Sequence, residues 1–194
     1  ISVFFPAYND APTIPKLVED TTKTLKKITN NYEIIIVNDG SKDNIAAVVE
    51  KLSRKYKNVR AVHHNTNRGY GAALKTGFKN STKDFIFYTD GDGQYDVKEI
   101  KKLVDNLDNA DLVNGYKLRR SDSIYRVILG RLYYWAAKIL FNIKLKDIDC
   151  DFRLMKRKIF DKISLESDSG VICVEMMRKI QAKKLQEQKG LHEF

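Results

Sequence analysis

Asp90 and Asp92 stand one residue apart in Asp90-Gly91-Asp92, after an apolar run and before Gly93-Gln94. Carboxylates at i and i+2 of a turn can converge on one hard cation, and the glycines let the backbone bend closely around it. Gln94 offers a further neutral oxygen, and Asp96 is placed to cap a following helix. An all-oxygen donor set favours Mg2+ or Mn2+ over zinc. A calcium loop does not fit. Counting from Asp90, Tyr95 stands where that loop needs Gly, and Lys101 stands where it needs Glu. A solvated acidic turn remains the plain alternative.

Other residues could share that chemistry. Asp39 closes an apolar run in Val37-Asn38-Asp39-Gly40-Ser41. An acid there can accept hydrogen bonds from a base or a ribose, or can simply cap a turn. Asn67-Arg68-Gly69-Tyr70-Gly71-Ala72-Ala73-Leu74-Lys75 is a glycine-containing turn that opens a helix. It lacks the third glycine of a dinucleotide fingerprint, and no Gly-Lys-Ser/Thr phosphate loop exists anywhere in the chain. A helix start carrying Arg68 and Lys75 can nevertheless face phosphate. Asp147, Asp149 and Asp151 alternate just before Phe152-Arg153. Three like charges so close call for a nearby Arg, metal or solvent.

From Ile124 to Ile143 an apolar stripe recurs at helical spacing through Ile128, Leu132, Trp135 and Ile139, with Arg126, Arg131 and Lys138 inside it. Such a stripe fits a core helix or a helix lying in a membrane interface. Val171 to Ala182 also reads as a helix, and its Glu175 reads as surface.

The elements that must position these residues are short. Apolar runs at Ser2–Phe5, Glu33–Val37, Val59–Val62, Asp84–Thr89 and Asp111–Val113 lack polar alternation, as strands buried on both faces do. Helical spacing over Leu17–Ile28 and Ile45–Tyr56 separates them, the second with Asp43 or Asn44 as its cap. Alternating strands and helices predict an α/β fold with an open, mostly parallel sheet, Rossmann-like, with helices flanking it. Ligands in such sheets bind beyond the carboxyl ends of the strands. Ala7-Tyr8-Asn9-Asp10, Asn38-Asp39 and Asp90-Gly91-Asp92 should therefore share one rim.

Composition bounds the rest. The chain has 194 residues, 43% of them hydrophobic and 31% charged, which suits one globular domain and excludes a disordered chain. Lys and Arg exceed Asp and Glu by 35 to 25, and the net charge of +10 points to an anionic partner. Cys150 and Cys173 are too few for a disulfide scaffold, and with three His they argue against a zinc site. No run reaches the ~18 apolar residues of a membrane span. Net charge alone motivates a nucleic-acid binder, and no motif supports one.

Taken in order, five segments resemble the family-2 glycosyltransferases of the GT-A fold, and among them the polyprenyl-phosphate (dolichyl-phosphate) hexose synthases. They are Val3 to Asp10, Ile36 to Ser41, Asn67 to Ala72, Thr89 to Gln94, and Asp147 to Met155. The resemblance implies an inverting transfer of a hexose from a UDP- or GDP-sugar to a polyprenyl phosphate at the cytoplasmic face of a membrane, with an anionic membrane surface and no nucleic acid as partner. It implies that Pro6, Ala7, Tyr8 and Asp10 hold the nucleoside and that Asp39 contacts the base. It further implies that Asp90, Gly91 and Asp92 bind the donor diphosphate through Mg2+ or Mn2+, with Gln94 a further metal ligand. Lys75 and Lys117 join the donor site, and Asp147 and Arg153 lie in the acceptor region, Arg153 toward the acceptor phosphate. Asp10 stands where the family commonly has Glu, Lys117 where it has Arg, and Asp151 where it often has Gly.

Residues 1–194 then form one catalytic domain, with the nucleotide-sugar part over about 1–115 and the acceptor and membrane-facing part over about 116–194. Close relatives carry a further strand, a basic loop and membrane segments after the position of Ala182, so the chain reads as a catalytic fragment. Transfer to a saccharide hydroxyl is the alternative within this class, with Asp147 as the base. A Mg-dependent phosphohydrolase of the haloacid-dehalogenase type is the alternative outside it. In that type the Asp-x-Asp follows the first strand, whereas here it follows the fourth, and Gln94 stands where Thr or Val is preferred.

Overall fold

The computed structural model describes residues 1–107, 110–115 and 150–183, together with the backbone of 187–188. Lys117, Asp147 and the stripe from Ile124 to Ile143 lie outside the described residues. The elements are β1 (Ser2–Ala7), α1 (Ile14–Lys26), β2 (Glu33–Asn38), α2 (Ile45–Lys55), β3 (Val59–His63), α3 (Tyr70–Asn80) and β4 (Phe85–Tyr88). They continue with α4 (Ile100–Asp105), β5 (Leu112–Asn114), β6 (Arg153–Lys156), α5 (Ile172–Ala182) and β7 (Glu187–Gln188).

One sheet holds all seven described strands in the order β3-β2-β1-β4-β6-β5-β7. β1 lies between β2 and β4 and is parallel to both, while β6 runs antiparallel to its neighbours β4 and β5. β6 was not among the strands expected, because its first residue is an arginine and the acidic run before it reads as a turn. The architecture is therefore a mixed, mostly parallel sheet with flanking helices.

The unbroken apolar runs are explained by burial on both faces. Val3, Phe5, Ile34 and Ile36 pack with Leu17, Val18, Val49 and Leu103 from α1, α2 and α4. Phe4, Ile35 and Val37 point the other way, onto Leu74 and Phe78 of α3 and Met176 and Met177 of α5. Gly77 is a packing requirement of that second layer, since a Cβ there would meet the Phe4 ring at 2.3 Å. α1 starts earlier than its apolar spacing suggests, at Ile14, with Pro15 in the first turn where its missing N–H is harmless. Asp43 rather than Asn44 serves α2, accepting from Ile45 N at 3.2 Å, and Asp96 accepts from Lys98 N at 3.0 Å as expected. Among the described residues no helix is long and apolar enough to cross a membrane.

Candidate active site

The carboxyl end of β1 is the hub of one rim. The Ala7 carbonyl accepts from Asp39 N at 3.0 Å, and the Pro6 carbonyl accepts from Gly91 N at 3.2 Å. The ends of β2 and β4 are thus tied to the same two residues of β1. Gly91 has no room for a side chain, since a Cβ would stand 2.9 Å from the Pro6 oxygen and 3.3 Å from Ala7 Cβ. The Thr13 hydroxyl closes the arrangement by donating to Gly91 O at 2.6 Å. Asp39 and the Asp90–Asp92 pair therefore share one edge of the sheet.

After β1 the chain turns at Asn9, whose φ of 62° is left-handed. Asn tolerates this conformation better than most residues. The turn is fastened to the loop after β2: Asn9 N donates to Ser41 Oγ at 3.0 Å, Lys42 N to Asn9 Oδ1 at 2.8 Å, and Ala11 N to Asp43 Oδ2 at 2.9 Å. Tyr8 is left 42% exposed on this rim, an aromatic face open to a ligand. Burial pushes the Asp10 carboxyl above the usual carboxylate range; the Tyr8 amide opposes the rise, and the charges of Asp92 and Asp43 add to it. Like charges gathered in this way favour a cation among them.

Asp92 is exposed, and its Oδ1 accepts from Gln94 N at 3.0 Å across a turn that passes through Gly93 at φ 76°. Asp90 is half-buried, and its Oδ1 accepts from the Tyr70 hydroxyl at 2.9 Å. Burial, with Asp151 and Asp90 close by, drives the Tyr70 hydroxyl far above its ordinary value, so it stays a neutral donor. Among the described residues no group of three or more His, Cys, Asp or Glu forms a self-contained metal site. Two carboxylates and an amide on an open turn fit a hard cation that takes its remaining ligands from substrate phosphate and water, as Mg2+ does.

Several of the expected site residues make close contacts within the protein. Asp39 is 4% exposed, and its carboxylate accepts from Arg68 N and Gly69 N, each at 2.9 Å. Its Oδ1 also lies 2.6 Å from His64 Nδ1, whose Nε2 lies 2.8 Å from Thr76 Oγ1. In the fold, Asp39 closes the 64–69 loop onto β2.

The glycines at the start of α3 do not leave it open to phosphate. Gly71 N donates to Asp168 O at 2.9 Å, and a Cβ at Gly71 would meet Ser167 O at 2.5 Å. Lys75 is turned to the same segment, with Nζ 2.7 Å from Asp168 Oδ1 and 2.8 Å from Glu166 O.

Arg153 is fully buried, with its guanidinium directed to neighbouring side chains. It donates to Asn114 Oδ1 at 2.7 Å and to the Tyr88 hydroxyl at 2.6 Å, with Asp151 Oδ1 at 3.8 Å. Asp151 also accepts from Tyr88 and from the Cys173 thiol, each at 3.3 Å. Burial pushes that thiol up to about 12, so Cys173 is an inert packing residue at neutral pH.

Sequence reasoning missed three residues. Tyr70 carried no signal beyond its motif string, and His64 lies in none. Glu175, read as surface, accepts from Glu166 N and Ser167 N, both at 2.9 Å, and from Lys179 at 2.7 Å, and so holds the segment that covers the start of α3.

The sheet order, the shared rim and the acidic pair define a GT-A glycosyltransferase, and comparison with known proteins places the chain within that class. A family model for glycosyl transferase family 2 matches residues 2–164, and the chain belongs to that family. It is 34% identical over 163 residues to an undecaprenyl-phosphate 4-deoxy-4-formamido-L-arabinose transferase of Pseudomonas fluorescens, covering 83% of this chain and 48% of the relative. It is 32% identical over 174 residues to the dolichyl-phosphate beta-glucosyltransferase ALG5D of Trichomonas vaginalis, covering 81% and 53%. The chain thus spans about half the length of the curated relatives it matches.

Among solved structures, a mannosyltransferase of Pyrobaculum calidifontis in complex with GDP-Man and Mn2+ superposes with a TM-score of 0.72. Identity is 18%, over 97% of this chain and 53% of that one. Glucosyl-3-phosphoglycerate synthase of Mycobacterium tuberculosis, with Mn2+, UDP and phosphoglyceric acid, gives a TM-score of 0.71. Identity is 15%, over 94% and 64%.

Proposed function

We propose that the protein is an inverting hexosyltransferase that moves a sugar from a UDP- or GDP-sugar to a polyprenyl phosphate at the cytoplasmic face of a membrane. The observation that carries this reading is the tie of the β2 and β4 ends to Pro6 and Ala7. It gathers Tyr8, Asp10, Asp39 and the Asp90-Gly91-Asp92 turn on one rim. The curated relatives, which are named for undecaprenyl phosphate and dolichyl phosphate, support the acceptor class. The solved relatives, complexed with Mn2+ and with GDP-Man or UDP, support a nucleotide donor and a divalent ion.

Tyr8 and Asp10 would receive the nucleoside, and the loop closed by Asp39 would form the wall beside the base. Asp90, Asp92 and Gln94 would hold Mg2+ or Mn2+, which when bound neutralises charge on the diphosphate leaving group. Lys117 would approach the donor phosphates, and Asp147 would stand in the acceptor region. An acceptor phosphate monoester, with a second pKa of ~6, is largely anionic at neutral pH and needs little help from a base. Asp147 would become the required base only for a hydroxyl acceptor.

The test is Mn2+-dependent thermal stabilisation across UDP- and GDP-sugars, followed by transfer assays with a short polyprenyl phosphate. The expected result is one donor that stabilises the protein and yields a polyprenyl-phosphate sugar. Asp92→Asn should lose the Mn2+-dependent part of nucleotide binding and keep its metal-free unfolding temperature. Transfer to saccharide hydroxyls alone, or release of inorganic phosphate without a sugar acceptor, would overturn the reading.

A further inference from the structure

The Tyr70 hydroxyl donates to Asp90 Oδ1 at 2.9 Å. Tyr70 opens α3, and the start of that helix is fixed from a different part of the chain. Gly71 N donates to Asp168 O, and Gly69 and Gly71 approach the 167–169 backbone too closely for any side chain. Lys75 grips the same segment through Asp168 and Glu166 O. Glu175 of α5 accepts from the amides of Glu166 and Ser167, and Lys179 bridges Glu175, Glu166 Oε1 and Ser164 O. Residues 166–170 are thus stitched to two helices, and the ring of Tyr70 projects from a platform that does not depend on Asp90. The hydroxyl is thus held in place independently of the carboxylate that it meets.

We propose that Tyr70 is a positioning residue for Asp90. Its hydrogen bond selects the carboxylate orientation that is presented to the divalent ion, and residues 166–170 set where the hydroxyl stands. The inference rests on the metal-dependent reading above. An ionised carboxylate has about four acceptor sites, so accepting from the Tyr70 hydroxyl is compatible with ligating a cation. Partners that orient metal ligands typically carry 10–100-fold in metal affinity. Tyr70 therefore acts through Asp90 and touches neither substrate in this scheme.

The experiment measures Mn2+ binding by the full-length protein in the presence of UDP or GDP, read from the paramagnetic resonance signal of free Mn2+. Thermal unfolding without metal runs alongside. Tyr70→Phe removes only the hydroxyl and should raise the apparent Mn2+ dissociation constant about 10-fold, with the metal-free unfolding temperature unchanged. Glu175→Gln should weaken Mn2+ in the same direction by a smaller factor.

Wild-type Mn2+ affinity in Tyr70→Phe overturns the positioning role and leaves the metal reading intact. A loss of affinity matched by a loss of metal-free stability marks a merely structural role and also overturns it. Unchanged affinity in Glu175→Gln overturns the part assigned to residues 166–170. Failure of the wild type to bind Mn2+ with either nucleotide overturns both the inference and the reading on which it rests.

Discussion

The carboxylates around the rim differ in what surrounds them, and that difference makes them separable by experiment. Asp10 sits where burial raises its pKa from 3.8, with Asp92 and Asp43 adding to the rise. A carboxyl whose native pKa is raised binds its proton more readily folded than unfolded. Stability therefore falls as pH rises from the ordinary value through the raised one. Asp10→Asn should flatten that slope in metal-free urea unfolding across the weakly acidic range and leave the variant the more stable protein at neutral pH. Arg153 presents the opposite case, a cation with no exposed surface that lies between Tyr88, Asn114 and Asp151. Removing one member of a buried pair leaves the other uncompensated, at a cost of about 3 kcal/mol or more. Arg153→Met should lower unfolding stability by about that amount, and adding Asp151→Asn should restore part of it, as the coupling in a double-mutant cycle.

Among the elements, β1, β2 and β4 were legible because each is a short run of β-branched and aromatic residues that closes on a turn. β6 was not. It follows three alternating acids and begins with Arg153, and partners such as Tyr88 and Asn114 on the neighbouring strands make an arginine acceptable there. The glycines at the start of α3 show the same limit. The string Arg68-Gly69-Tyr70-Gly71 resembles a phosphate turn, and what requires the glycines is the backbone of residues 167–169, about a hundred positions away in sequence. Gly71→Ala must push that segment off α3, because a Cβ would lie 2.5 Å from Ser167 O. Overpacking of this kind costs about 1–3 kcal/mol. The loss should appear in urea unfolding, together with faster proteolysis at residues 166–170 than in wild type.

For the whole molecule the informative quantity is the net charge of +10. The described surface pairs several of its lysines with acids one helical turn away, as in Lys16–Asp20, Lys23–Glu19 and Lys101–Asp105. Such exposed pairs add little to stability. The surplus beyond them gives long-range attraction to anionic surfaces, which salt screens over about 10 Å at 0.1 M. Sedimentation with anionic vesicles should show binding that weakens as salt is raised. Trp135→Ala and Arg131→Ala should each reduce it, whereas neutral vesicles should recover little protein. Equal binding by all three proteins would remove the membrane-interface role of that stripe.

The amino-acid sequence by itself determined β1 to β5 and the first helices, that the carboxyl ends of β1, β2 and β4 carry Tyr8, Asp10, Asp39, Asp90 and Asp92, and that the side chains offered there to a cation are oxygen donors. All of these follow from local propensity, apolar periodicity and ligand chemistry, and each acts within a few residues of chain. Only the tertiary structure decided the partners. It turned Asp39 to a loop, Lys75 and Glu175 to residues 166–170, Arg153 into the core and Tyr70 onto Asp90. A side chain's charge is written in its type, but the donor or acceptor that meets it comes from a distant element, brought there by the packing of both faces of one sheet.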